Sequence, residues 1–183
     1  AAVEGYVAQY GIEPKAIMLQ NHGVFVGADT TEQIESIYNE LVATIEGSIT
    51  MPLPEGEAEQ RLSGSEVVPA IRMMASQGDD RRTLRVVNNP LVEWFAQDEE
   101  HFAKVAKPFS PDSIIYCRSK YIYIAAATKE EVLSQAEQKI ADYISQNGYA
   151  PKVIVVKGLG LITIGENAKD CANTEDVYLD MMR

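Results

Sequence analysis

The stretch Lys15-Ala-Ile-Met-Leu-Gln-Asn-His-Gly-Val-Phe-Val-Gly27 decides how the rest of the chain is interpreted. Two short apolar runs, Ala16–Leu19 and Val24–Val26, flank the turn-forming residues Gln20-Asn-His-Gly23, so the pattern predicts two strands joined by a tight turn. Asn, His and Gly all tolerate left-handed backbone conformations. The residues alone therefore leave His22 open to two interpretations, an ordinary hairpin residue or a ring nitrogen held at an exposed apex for a metal or substrate.

Helices are predicted on both sides of this hairpin. After it, Thr30 with Gln33 fits a capping box, and an apolar stripe at helical spacing continues to a stop at Gly47. Before it, apolar residues recur at helical spacing from Ala2 to Tyr10. The chain is therefore expected to begin within a helix, as a piece of something longer.

The same order of elements recurs near the carboxyl terminus. Pro14-Lys-Ala-Ile-Met-Leu-Gln-Asn-His-Gly23 aligns with Pro151-Lys-Val-Ile-Val-Val-Lys-Gly-Leu-Gly160 at an offset of 137 residues, sharing Pro, Lys, Ile and the final Gly. Each copy continues with a strand, a glycine and a polar cap that opens a helix (Gly27-Ala-Asp29 and Gly165-Glu-Asn167). The pattern indicates a duplicated unit.

The proline-rich segment 50–62 is the predicted linker of this duplication, because two prolines and a glycine break any regular element there. Residues 1–49 would be the end of a first unit, and residues 63–183 a nearly whole second unit. About one hundred residues of the first unit are then expected outside this chain, by comparison with the length of the second.

Strands and helices alternate along the second unit, which places the chain in the α/β or α+β class. The predicted helices are Val67–Ser76, Pro90–Phe95, one from the Thr128/Glu131 capping box to Gly148, and one from Ala168 to the end. The predicted strands are Leu84–Val87, Ile114–Cys117, Tyr121–Ile124, Val153–Val156 and Leu161–Ile164.

Composition excludes several functions. The 183 residues carry 27 acidic and 16 basic side chains, a formal net charge of −11 with no basic patch, so binding to nucleic acid or to anionic membranes is not expected. No apolar stretch approaches the roughly 20 residues that cross a bilayer. Two widely separated cysteines favour a reduced, cytoplasmic setting. Two histidines cannot complete a site that needs three imidazoles on one metal.

Residues 15–27 and the capped helix from Thr30 resemble the end of a class II aldolase/adducin domain. Similar proteins include fuculose- and rhamnulose-phosphate aldolases and ribulose-phosphate 4-epimerases. The resemblance implies a three-layer α/β/α fold with a mostly antiparallel sheet, homo-oligomeric assembly, and aldol cleavage of a sugar phosphate. It also implies that His22 is one ligand of a catalytic zinc, in a turn supported by Asn21 and Gly23. The other ligands, in a His-x-His motif, and a catalytic glutamate would lie upstream, outside this chain.

The second unit resembles the region that follows the aldolase domain in larger, two-part bacterial members of this family. Ser110-Pro-Asp-Ser-Ile-Ile-Tyr-Cys117 and Lys157-Gly-Leu-Gly-Leu161 carry that similarity. Ser113 stands where those proteins have a histidine, and Leu159 stands where the first copy has His22. The second unit is therefore interpreted as a degenerate copy kept for packing or assembly. Two alternatives to the aldolase remain, an adducin-like non-catalytic assembly module and a ribulose-phosphate 4-epimerase-like enzyme.

Three weaker patterns are interpreted structurally. Gly158-Leu-Gly160 superficially matches a dinucleotide-binding loop, but a strand rather than a helix is predicted to follow, so no nicotinamide cofactor is expected. His101 is expected on a charged helical surface, and the loop Asp79–Arg82 as a solvated turn rather than a phosphate site. Cys117, expected on a strand, and Cys171 lack neighbours that would activate a thiolate.

Overall fold

Helices and strands alternate throughout a mixed α/β chain. The structure, a computed structural model, describes residues 2–58 and 61–183. These residues divide into two compact units at Pro52/Leu53, a point inside the segment 50–62.

Unit 1 consists of two helices and one β-hairpin. Its elements are α1 (Ala2–Tyr10), β1 (Ala16–Leu19), β2 (Gly23–Val26) and α2 (Thr31–Glu46). Strands β1 and β2 pair antiparallel, and the Thr30 side chain accepts a hydrogen bond from the Gln33 N–H to cap α2. None of the described residues in this unit is buried, and Met18, Phe25 and Ile45 are each more than half exposed. The described residues of unit 1 therefore form no hydrophobic core of their own.

Unit 2 is built around a four-stranded mixed sheet. Its elements are α3 (Gly64–Ala75), β3 (Thr83–Val87), α4 (Pro90–Ala96), α5 (Glu99–Ala103), α6 (Pro111–Cys117), β4 (Ile122–Ile124), α7 (Lys129–Asn147), β5 (Val153–Val156), β6 (Gly160–Gly165) and α8 (Ala168–Met182). The strand order is β3-β6-β5-β4. The β3/β6 and β6/β5 pairs are antiparallel, and the β5/β4 pair is parallel.

Helices cover both faces of this sheet, and alternate strand residues serve two separate cores. Ile154 and Val156 point to the face packed by α3 and α7, whereas Val153 and Val155 point to the face packed by α4, α5, α6 and α8. All four of these strand residues are fully buried. Burying each such side chain contributes about 1.5–3 kcal/mol, so unit 2 has the stabilising core that unit 1 lacks.

The predicted strand Ile114–Cys117 is wrong, because these residues form the end of α6. Ser110 caps that helix: its hydroxyl accepts from the Ser113 N–H, and the Ser113 hydroxyl accepts in turn from the Ser110 N–H. Pro111 occupies the first helical turn, where its missing N–H costs nothing. The cap outweighs the strand preference of the two adjacent isoleucines, and Cys117 consequently lies in a helix rather than in a strand.

Among the described residues, none of the helices combines the length and the apolarity that crossing a membrane requires.

Candidate metal-ligand turn

His22 lies in the three-residue turn of the unit 1 hairpin. The strands pair from Ala16↔Val26 to Leu19↔Gly23, and the His22 N–H donates to the Leu19 carbonyl at 3.1 Å. Asn21 has a positive φ of 56°, a left-handed conformation that asparagine tolerates better than most residues. The histidine itself is exposed. Asn21 and His22 thus lie in the turn itself, and Gly23 begins β2 directly after it.

The turn of unit 2 has the same backbone geometry at an offset of 137 residues. Its strands pair from Val153↔Thr163 to Val156↔Gly160, which matches the unit 1 register pair for pair. The Leu159 N–H donates to the Val156 carbonyl at 3.1 Å, as His22 does to Leu19. Gly158, the counterpart of Asn21, also has a positive φ, of 73°.

The correspondence continues into the helix that follows each hairpin. In unit 1 the Thr30 hydroxyl accepts from the Gln33 N–H at 3.3 Å, and in unit 2 the Asn167 carbonyl oxygen Oδ1 accepts from the Asp170 N–H at 3.0 Å. The side chains of Gln33 and Asp170 then each accept from the backbone N–H four residues earlier, both at 3.1 Å. Hairpin, turn and capped helix therefore form one repeated motif.

The surroundings of the two turns differ. Leu159, which takes the place of His22, is fully buried in the core beneath α3 and α7, and it lies so close to Gly64 that a Cβ there would sit 3.8 Å from its Cδ1. A leucine at this position fills the core but cannot ligate a metal. His22 has the same backbone position in unit 1, but its side chain is exposed and not covered by helices as Leu159 is.

The glycine that ends each turn shows the same difference. A Cβ at Gly160 would lie 2.4 Å from the Val87 carbonyl oxygen, so only glycine allows the β3–α4 connection to pass this close. A Cβ at the equivalent Gly23 would meet no atom within 4 Å. Among the described residues of unit 1, no element corresponds to this connection.

A cavity of about 890 Å³ in unit 1 lies along α2 and not at His22. Ile37 and Leu41 line it. Their unit 2 counterparts are buried beneath other elements: Thr174 donates through its hydroxyl to the Tyr116 carbonyl of α6 at 3.0 Å, and Tyr178 donates to the Val105 carbonyl at 3.1 Å. The cavity thus lies along a helix face whose unit 2 counterpart is covered by α6 and by the segment that follows α5.

A complete zinc site is not present among residues 2–58 and 61–183, because no three His, Cys, Asp or Glu side chains gather there. Catalytic zinc sites use three protein ligands. His22 could supply one of them, and the described residues alone do not fit the metal.

The second histidine is engaged elsewhere. His101 lies in α5 with its Nδ1 atom 2.7 Å from Asp98 Oδ1 and its ring edge-on to Trp94 at 4.5 Å between centroids. The backbone N–H of His101 donates to Asp98 and is the main cause that lowers the pKa of that carboxyl group. The hydrogen bond from the His101 ring lowers the same pKa further. This arrangement stabilises the first turn of α5.

Both cysteines are buried in unit 2. Burial raises the pKa of Cys117 to about 12 and also raises the pKa of Cys171. The Cys171 thiol donates to the Thr83 carbonyl at 3.1 Å. Both therefore remain protonated near neutral pH, a state unsuited to nucleophilic attack or metal binding.

Two other patterns from the sequence have structural roles. Arg82 pairs with Asp80 of its own loop, and its carbonyl accepts from Arg72 Nε at 2.6 Å, which links the loop to α3. The glycines of Gly158-Leu-Gly160 lead directly into β6, so the predicted strand is confirmed and the helix of a dinucleotide loop does not follow.

Sequence reasoning missed one edge of the unit 2 sheet. Strands β3, β4 and β5 run in the same direction, so their carboxyl ends meet at this edge together with the β5–β6 turn. Crevices outside the carboxyl ends of strands are where α/β sheets bind ligands. The residues after β4 and β5 could have been flagged only if the strand order had been known.

No protein-family model matches the chain, and no curated protein or solved structure matches it either.

Proposed function

We propose that this chain is the carboxyl-terminal part of a class II aldolase-like protein that cleaves a sugar phosphate, with His22 contributing one ligand to a zinc ion. One observation carries the proposal: His22 occupies an exposed turn whose geometry is repeated in unit 2, where Leu159 is buried at the same position. Burying an imidazole in an apolar core costs free energy unless its nitrogens are hydrogen-bonded. A histidine at a position equivalent to a core leucine is therefore expected where the ring meets polar groups or binds a ligand.

The same proposal extends to the fold. A class II aldolase-like unit has a sheet between two helical layers, and unit 2 is compatible with it because helices cover both faces of the β3-β6-β5-β4 sheet. Unit 1 would reach that architecture only with further elements around its hairpin. We extend the proposal to a homo-oligomer located in the cytoplasm, as the family resemblance implies.

The remaining zinc ligands must come from residues other than those described, since these offer one imidazole at the turn and no cluster of three donors. His22 has to be neutral to bind a metal, because the protonated imidazole has no lone pair to donate.

The test uses the native polypeptide that contains this chain. Bound zinc and cleavage of fuculose 1-phosphate and rhamnulose 1-phosphate are measured for the wild type, for His22→Ala, and for His101→Ala as the matched histidine control. We expect zinc and activity in the wild type and in His101→Ala, and loss of both in His22→Ala. A wild-type protein without metal and without cleavage activity overturns the enzyme proposal.

A second candidate is an adducin-like assembly module without catalysis. The observation that favours it is the exposure of large apolar side chains on every helix and strand of unit 1, among them Met18 at 63% and Phe25 at 58%, since extensive exposed apolar surface is typical of interaction sites. A metal-free, inactive polypeptide that nevertheless forms a defined oligomer supports this candidate over the aldolase.

A further inference from the structure

A crevice of about 420 Å³ opens at the carboxyl edge of the unit 2 sheet. It lies between the segment Ala125–Ala127, which follows β4, and the first residues of the β5–β6 turn. Its volume falls within the range typical of small-molecule sites. It is independent of the His22 turn, because it belongs wholly to unit 2.

Two opposite charges on the wall of this crevice are available to a ligand. Lys157 is exposed, and its ammonium group forms no hydrogen bond or ion pair within the described part of the chain. Glu131 accepts from the Ala127 N–H through Oε2 at 3.2 Å, and its Oε1 has no hydrogen-bond donor among the described residues. Arg61 and Glu93 also line the crevice, but each already takes part in another interaction.

The backbone holds these two residues at opposite ends of one short segment. The Lys157 N–H donates to the Ile124 carbonyl at 3.0 Å, and the Glu131 carboxylate is bound at Ala127. These two anchor points are three residues apart, a span of at most about 10 Å of backbone. Both residues also line the same crevice, so one small molecule bound in it can contact both.

The apolar part of the lining, here called the floor, consists mostly of alanines. Ala96 and Ala126 are buried there, Leu62 adds a larger apolar side chain, and the Gln97 amide lines the crevice beside them. Alanine methyl groups leave room above them for a short aliphatic group, and they offer it no hydrogen bond. A strongly hydrated ligand such as a polyol or a lone inorganic ion would leave this floor unused.

From this arrangement we infer that the crevice binds a small aliphatic zwitterion of the α-amino acid class. The ligand carboxylate pairs with Lys157, the ligand ammonium group pairs with Glu131, and a short aliphatic side chain lies on the alanine floor. This inference goes beyond the proposed aldolase function and does not depend on it.

The probe is L-valine, titrated into the whole ¹⁵N-labelled chain while the backbone amide resonances are followed by NMR. We expect saturable shifts at Ala125–Ala127, Lys157 and Gly158 at millimolar concentrations. Isovalerate lacks the ammonium group and isobutylamine lacks the carboxylate, so both should bind at least about tenfold more weakly, as expected when one charge-assisted contact is lost.

Matched variants test the two charges separately. Lys157→Gln and Glu131→Gln should each weaken L-valine binding about tenfold, and Glu131→Gln keeps an oxygen to accept from the Ala127 N–H. The controls Lys169→Gln and Glu130→Gln change exposed residues outside the crevice and should leave binding unchanged.

Two results overturn the inference. One is the absence of saturable shifts with L-valine, which needs no variant to be observed. The other is binding of isovalerate or isobutylamine as tight as that of L-valine, which would make the site one for simple anions or cations.

Discussion

Leu159 and His22 occupy one backbone position in two different environments. Leu159 fills the core between the sheet and helices α3 and α7, and the same turn in unit 1 presents an exposed imidazole. The identity of one residue, leucine or histidine, thus distinguishes a core position from a candidate metal-ligand position. Neither sequence periodicity nor turn propensity reveals this, because both turns satisfy the same hairpin rules.

Truncation of these two residues should have very different effects on stability. Leu159→Ala should lower the free energy of unfolding of unit 2 by about 2–5 kcal/mol, because it opens a cavity in a closed core. His22→Ala should change that value by less than about 0.5 kcal/mol. Urea unfolding followed by Trp94 fluorescence measures this, since Trp94, which lies in unit 2, is the only tryptophan. Equal effects of the two substitutions would contradict the assignment of Leu159 to the core.

At the level of the elements, capping signals were the most informative part of the sequence. Thr30 and Gly47 bound α2, and Thr128 and Gly148 bound α7, as predicted. The one wrong element, α6, begins at a capping box as well. There the adjacent Ile114 and Ile115 suggested a strand, but both are exposed, so no sheet packing rewards their strand preference.

The two equivalent helix caps provide a matched experiment. Asn167→Ala removes the acceptor for the Asp170 N–H and should lower the free energy of unfolding of unit 2 by about 1 kcal/mol. Thr30→Ala removes the equivalent cap from α2 and should leave the Trp94 transition unchanged, because α2 belongs to unit 1. A Trp94 transition that shifts equally in both variants would show that the two units unfold together.

At the scale of the whole molecule, burial of ionisable groups makes unit 2 sensitive to alkali. Burial raises the pKa of Cys117 from 9.0 to about 12 and that of Tyr123 from 10.0 to about 12. Both groups are neutral when protonated, so the unfolded chain releases these protons at lower pH than the folded chain does. The contribution of these two groups to the free energy of unfolding is therefore fully present below about pH 9, and it is lost as the pH rises towards 12.

Urea midpoints at about pH 8 and about pH 10.5 test this sensitivity. The midpoint should fall, because the free energy of unfolding decreases by up to about 1.4 kcal/mol per pH unit for each group that titrates only in the unfolded state. A midpoint that stays constant or rises over this interval would contradict the burial of these two side chains.

The order of elements was largely predictable from the sequence, but their assembly was not. The strand order β3-β6-β5-β4 brings Ala125–Ala127 beside Lys157, residues about thirty positions apart whose proximity no local pattern records. In the same way, the 137-residue repeat indicated two related hairpins. It could not show that one of them has a buried core while the other exposes its apolar residues.

Amide hydrogen exchange at equivalent positions is the most direct test of the relation between the two units. The Gly27 N–H donates to the Lys15 backbone carbonyl at 3.0 Å, and the Ile164 N–H donates to the Lys152 backbone carbonyl at 2.9 Å. The two hydrogen bonds are thus equivalent. Ile164 should exchange only through global unfolding of unit 2. Gly27 should exchange at least about a thousandfold faster, because none of the described residues around its hairpin is buried. Equal protection of the two amides would contradict the claim that unit 1 presents an uncovered copy of the unit 2 motif.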